Sequence, residues 1–169
     1  MLRAIKLISG LVLAAAVSTT AMAHNHGKKE AKDIVAIAAA DSQFSTLVAA
    51  VQAADLVETL QSAGPFTVFA PTNDAFAALP EGTVENLLKP ENKAALQAVL
   101  TYHVLADKVP SSAIAGKQLS VATVQGEEVA IDATSGVVVG GANVIVADIE
   151  AKNGIIHVID KVILPPSMQ

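Results

Sequence analysis

The sequence has no cysteine and no tryptophan, and aromatic residues fill only 3% of its 169 positions. Without cysteine there is no disulfide framework, no Cys-ligated zinc or iron–sulfur centre and no thiol nucleophile. Lipid attachment through an N-terminal cysteine is excluded on the same ground. Charge is sparse too, with 16% Asp, Glu, Lys and Arg and a net charge of −5. An acidic chain without a basic stripe is no nucleic-acid binder, because neutralised phosphates supply most of that affinity. It is equally unsuited to anionic membrane surfaces. There is no Gly-x-Ser-x-Gly elbow, no His-Glu-x-x-His pair and no Walker-type loop.

What is abundant is apolar aliphatic residue, at 52% hydrophobic overall. The usual share is ~45–50%. The first 23 residues account for part of the excess. Arg3 and Lys6 precede an apolar stretch, Leu7 to Val17, and Ala21-Met22-Ala23 has the small-x-small form of a signal-peptidase site. The stretch falls short of the ~20 residues a spanning helix needs. Residues 1–23 therefore read as a signal peptide, and no later stretch is apolar enough to span a bilayer. Cleavage leaves 146 residues and removes two basic and no acidic groups, taking the net charge from −5 to −7. The expectation is an exported protein, periplasmic or extracellular, with no membrane span after processing. At roughly 100–200 residues per domain, one domain follows. Its expected limits are 33–165, after a disordered polar arm at 24–32 and before a tail at 166–169.

The body divides by pattern. From Asp33 to about Leu105 it is Ala/Leu-rich with helical spacing, and from about Lys117 to Leu164 it is Val/Ile-rich with turn signals. Helices followed by strands imply an α+β fold. Asp33, Asp41 or Ser42, Asp55 and Thr72 are the expected N-caps of short helices. Phe66 to Ala70 is a buried strand by composition. Glu91 to about Tyr102 is the longest expected helix. Lys117–Val124 and Val129–Thr134 read as a hairpin around Gln125-Gly126. Ser135-Gly136, Gly140-Gly141 and Asn153-Gly154 are further turn pairs. Asn153-Gly154 is expected to form a type I′ turn, which needs positive φ at both central residues. Ile155–Leu164 is apolar on both faces, as in a central strand.

Few residues carry chemistry. His103 and His157 are the two histidines of the body, both among apolar neighbours, and read as neutral residues bonded to backbone. Asp148-x-Glu150-x-x-Asn153-Gly154 lacks the ligand spacing of a calcium loop. Cleavage after Ala23 would expose His24-Asn25-His26. A free amine, two deprotonated amides and a histidine at position three can hold Cu(II) or Ni(II) in a square plane.

Phe66-Thr-Val-Phe-Ala-Pro-Thr-Asn-Asp-Ala-Phe76 resembles the first signature box of the fasciclin domain family. Asn153-Gly-Ile-Ile-His-Val-Ile-Asp160, followed by Lys161-Val-Ile-Leu-Pro165, resembles the second, and Tyr102-His103 matches the Tyr-His motif between them. The resemblance implies a wedge-shaped β-sheet unit packed with several short α-helices. It implies exported modules for cell adhesion, extracellular-matrix contact and protein binding, not enzymes, and no cofactor. In animal members a Tyr-His motif and an Asp-Ile pair are implicated in receptor binding. The matching residues here are Tyr102, His103, Asp148 and Ile149. The rest of the signature has packing work in prospect. Phe66, Phe69 and Phe76 fill a core, Pro71 ends a strand, Thr72 caps a helix beside Asn73, Asn153-Gly154 turns the chain, and His157 is a buried bond maker. The expected function is non-catalytic contact with a protein or a cell-surface or matrix component. The alternative is a carrier of an apolar small molecule such as a carotenoid, held in a groove between helices and sheet.

Overall fold

The computed structural model describes residues 32–169. The expected signal peptide and the arm as far as residue 31 lie outside them. Lys32, the last residue of the arm, is held to the domain, its carbonyl accepting the Lys152 N–H at 2.9 Å.

Local chemistry sets most helix ends. Asp33 accepts the Ala36 N–H at 2.8 Å and opens α1 (Ile34–Ala39). Asp41 accepts from Gln43 and opens a 3-10 turn, Ser42–Phe44, that runs into α2 (Ser45–Ala53). Asp55 departs from expectation. The next helix, α3 (Val57–Gln61), has no side-chain cap. Asp55 instead closes α2, with φ +56°. Its N–H bonds the Gln52 carbonyl at 3.1 Å, and the Leu56 N–H bonds that of Val51 at 3.0 Å. This is the paired-bond stop of a helix, usually built on glycine, and Asp is among the few residues that tolerate it. Its carboxylate pairs with Lys93. Thr72 accepts the Ala75 N–H at 3.3 Å and caps α4 (Asn73–Ala77). Pro80-Glu-Gly82 precedes α5 (Thr83–Leu87), and α6 (Lys93–Tyr102) follows a proline-led 3-10 turn. A short α7 spans Ser111–Ile114, and the expected tail makes a 3-10 turn, Pro166–Met168.

Among the described residues seven strands form the sheet. They are β1 (Phe66–Pro71), β2 (Val104–Leu105), β3 (Gln118–Ala122), β4 (Glu128–Asp132), β5 (Val138–Val139), β6 (Ala142–Ala151) and β7 (Gly154–Ile159). Their spatial order is β2-β1-β7-β6-β5-β4-β3. The β1 strand of the helical half thus lies parallel to β7, with Phe66 opposite Gly154 and Phe69 opposite His157. A bridge between Leu105 and Thr123 brings the two ends of the strand order together. The β7 strand is buried throughout, as a central strand should be, but it ends at Ile159 rather than running to Leu164.

Period-two alternation divides the interior. On β1 and β7, Val68, Ala70, Ile156 and Val158 pack towards the helices with Leu47, Val51, Leu96 and Leu100. Phe69 and Ile159 face the other way, against Tyr102, Val129, Ile131 and Val139. The fold is α+β, with β1 and β7 shared between two apolar clusters.

The expected type I′ turn is misplaced by the sequence reading. Positive φ occurs at Gly140 (+56°) and Gly141 (+89°), the two residues joining β5 to β6. Neither Asn153 nor Gly154 adopts it. Gly154 is a strand residue, and the β6–β7 link is Lys152-Asn153.

Candidate functional site

His157, Asp148 and Ser111 meet beside the β7–β6 part of the sheet. His157 is fully buried on β7, stacked on Phe69 with ring centroids 5.7 Å apart. Its Nδ1 accepts the Asp148 N–H at 3.2 Å, so Nε2 carries the proton and donates to the Val109 carbonyl at 2.8 Å. Asp148 sits where the β6 register shifts, in a bulge with φ +59°. Its carboxylate accepts the Ser111 N–H at 2.8 Å and the Ser111 hydroxyl. Those two bonds hold the carboxyl below the usual carboxylate range, against a smaller opposing effect of burial. Asp148 is an exposed residue whose polar atoms are already engaged. Ile149 is half-buried against the helix-side cluster.

Tyr102 and His103 are interior residues, 4% and 2% exposed. The Tyr102 hydroxyl donates to the Glu128 carbonyl at 3.2 Å. Burial, with Glu127 nearby, pushes the phenol above its ordinary range. His103 Nδ1 donates to the Val99 carbonyl at 2.7 Å, and Nε2 accepts the Ile163 N–H at 3.1 Å. Burial lowers its pKa to about 4, although the Val99 bond opposes this. Each of the two histidines bonds backbone groups through both ring nitrogens. Neither Tyr102 nor His103 lies beside Asp148 in any hydrogen bond, so the two receptor-type motifs are not assembled by side-chain bonding.

Asn153 does more than turn the chain. Its Oδ1 accepts the Ile34 N–H at 3.2 Å, and its Nδ2 donates to the Leu60 and Ser62 carbonyls at 2.6 and 2.9 Å. Its own carbonyl accepts the Phe66 N–H at 3.0 Å. One amide thus joins the β6–β7 link to α1, the end of α3 and the start of β1. Asn73 does similar work, accepting from Thr46 and Ser45 and donating to Ser42. Phe69, Phe76 and Pro71 are buried and Phe66 is half-buried. Removing the Asn153 side chain as Asn153→Ala deletes three bonds at ~1 kcal/mol each. The expected loss is about 2–3 kcal/mol by urea unfolding. A loss within about 0.5 kcal/mol, as at ordinary surface sites, would contradict the cross-linking role.

Between helices and sheet lies an apolar cavity of about 40 Å³, bordered by Leu47, Val51, Leu60, Val68, Leu100 and Ile156. A drug-sized ligand takes roughly 300–1,000 Å³. The cavity as it stands is well below that range. Among the described residues no group of three His, Asp or Glu side chains is placed to hold a metal ion, and Asp148 and Glu150 form no such set. The candidate Cu(II) ligands His24, Asn25 and His26 lie outside the described residues.

The surface holds one feature that sequence reasoning missed. Ile145 and Val146 are adjacent on β6 and 55% and 49% exposed. Val144-Ile145-Val146 is a continuous apolar run on that strand. The register shift between Val144 and Val146 turns part of it outward.

The signature boxes thus occupy the sheet centre, the α4 cap and the β6–β7 link. A model of the fasciclin domain matches residues 42–165. This chain belongs to the fasciclin domain family. It is 58% identical over 137 residues to the Synechocystis protein sll1483, covering 80% of this chain and 75% of that one. It is 42% identical over 128 residues to the pig transforming growth factor-beta-induced protein ig-h3, covering 75% of this chain but 18% of that protein. Immunogenic protein MPB70 of Mycobacterium bovis is 36% identical over 143 residues, with 80% and 71% covered. Among solved structures, the fold is similar to a fasciclin domain pair from the insect cell adhesion molecule Fasciclin I. The TM-score is 0.55 at 23% identity, over 72% of this chain and 45% of that one. That likeness speaks for the fold. Among the described residues no helix is long and apolar enough to cross a membrane.

Proposed function

We propose that this chain is an exported, non-catalytic fasciclin module that makes contact with a protein or a cell-surface or matrix component. The observation that carries the reading is the exposed Ile145-Val146 pair on the β6 bulge. Adjacent large apolar side chains left in water mark contact surfaces more often than isolated ones do. Asp148-Ile149, the pair implicated in receptor binding in animal members, lies two residues further along the strand. The interior supports the non-catalytic part of the reading. Both ring nitrogens of His103 and of His157 are bonded to backbone, which leaves neither free as a base. Export rests on residues 1–23, read as a signal peptide.

The test is retention of purified protein on the surface of its native cells and on their isolated matrix. The Ile145→Ser/Val146→Ser double variant is expected to lose at least about tenfold in retention, the effect of ~1.4 kcal/mol of apolar contact. Its unfolding midpoint should barely move, since the two side chains are half in water already. Equal retention of the folded variant and the parent would overturn this surface as the contact site.

A further inference from the structure

His157, Asp148 and Ser111 form a relay that joins three elements. The imidazole on β7 fixes the backbone of the β6 bulge by accepting the Asp148 N–H. The Asp148 carboxylate in turn holds the first residue of α7 through the Ser111 N–H and hydroxyl. The other ring nitrogen reaches the Val109 carbonyl, two residues before α7. Val109 is further tied by its N–H to the buried Thr67 hydroxyl at 2.8 Å. The geometry works only with an unprotonated Nδ1. An imidazolium has two donors and no acceptor. Protonation would set an N–H against the Asp148 N–H while keeping the Val109 bond.

We propose that the start of α7 is latched to the β6 bulge by the neutral imidazole of His157 and is released by acid. The charged groups around the ring favour release. From β6, Asp148 presents a carboxylate that would turn towards the imidazolium and so leave Ser111. Further along β6, Glu150 pairs with Lys108 at 3.5 Å, an exposed pair that offers little restraint. From β1 the ring is stacked on the uncharged face of Phe69. The Asp148 carboxyl stays ionised into mild acid because Ser111 stabilises its charged form. It is therefore available as the imidazolium's partner when the ring protonates. Release takes the Asp148 carboxylate off Ser111 and loosens the chain beside Ile145 and Val146. The latch itself does not depend on the contact reading.

Hydrogen exchange of the full chain, followed residue by residue by NMR from pH 8 to pH 4.5, tests the latch. Protection factors corrected for intrinsic exchange should fall by about tenfold or more at the Asp148 and Ser111 amides as acid is added. The fall there should exceed that at the Phe69 amide, which bonds the His103 carbonyl at 2.8 Å and follows global opening. The imidazole nitrogen signals of His157 should move from the Nε2-protonated neutral pattern over the same interval. His157→Gln supplies a non-titrating acceptor and donor, and should flatten both local profiles. If that variant does not fold, the parent's own signals still decide. The proposal is overturned if His157 titrates while Asp148 and Ser111 stay protected. It is also overturned if the ring stays neutral until global unfolding, or if folded His157→Gln keeps the acid-dependent loss.

Discussion

Gly154→Ala should lower stability by about 4 kcal/mol or more, near the upper end for a point substitution. A Cβ at this position would lie 2.1 Å from the Phe66 carbonyl oxygen and 3.0 Å from Ile34 Cδ1. The first of these is backbone and cannot rotate away. Phe66 is the register partner of Gly154 in the β1–β7 ladder. Relief would therefore require moving β1 off β7, with Val68 and Ile156 behind it. Conformational freedom is not the reason for glycine here, since Gly154 takes no positive φ. That separates the steric account from the ordinary one by sign. At a position with room, alanine stabilises by about 0.4–1 kcal/mol through the unfolded chain. Urea unfolding of Gly154→Ala reads the difference, and a neutral or positive change would refute the close approach. Gly64 makes the same approach from the other side, its hypothetical Cβ falling 2.0 Å from the Asn153 carbonyl oxygen. Gly64, Phe66, Asn153 and Gly154 thus meet backbone to backbone.

That junction shows where the sequence was legible and where it was not. Caps at Asp33, Asp41 and Thr72 could be read because an N-cap is a local bond between a side chain and an amide two or three residues on. The order of helices and strands was readable from periodicity, and so was the burial of β7 on both faces. The roles of Asn153 and Gly154 depend on Ile34, Leu60, Ser62 and Phe66, which lie far away in sequence. The dipeptide looks like a turn because the same two residue types suit turns, yet the type I′ turn is at Gly140-Gly141. Asp55 misled for a related reason. Asp serves equally as the cap that opens a helix and as a left-handed residue that closes one. At the candidate site, residue identities were recognisable from the family motifs. Their engagement was not. Only the fold reveals that Asp148 already bonds Ser111, or that a bulge exposes Ile145 and Val146.

Acid should cost the domain stability through His103, by roughly 3 kcal/mol between pH 6.5 and pH 4. The ring is enclosed between α6 and the chain after β7. It donates to the Val99 carbonyl, accepts the Ile163 N–H, and has its pKa lowered from 6.5 to about 4 chiefly by burial. In the unfolded chain the same imidazole gains its proton near pH 6.5. Over the interval between the two values the unfolded state binds more protons than the native one. The contribution is therefore present in full above pH 6.5 and is lost as pH falls through about 4. The lowered carboxyls of Asp132, Asp148 and Asp160 act in the same direction, but these are surface groups whose hydrogen bonds are screened by solvent. Urea unfolding at closely spaced pH values should show the decline beginning near neutrality, above the range where carboxylates titrate. The imidazole signals of His103 should stay neutral in the native protein throughout that decline. Stability level from pH 7 to pH 5, or a native His103 that protonates at its ordinary value, would refute the account. The outcome also separates the two histidines. Loss at His103 is global, because Ile163 and Val99 belong to the buried interior. Loss at His157 opens the start of α7 while the interior stays closed. Exchange at the Phe69 amide, bonded to the His103 carbonyl, reports the first, and exchange at Ser111 reports the second.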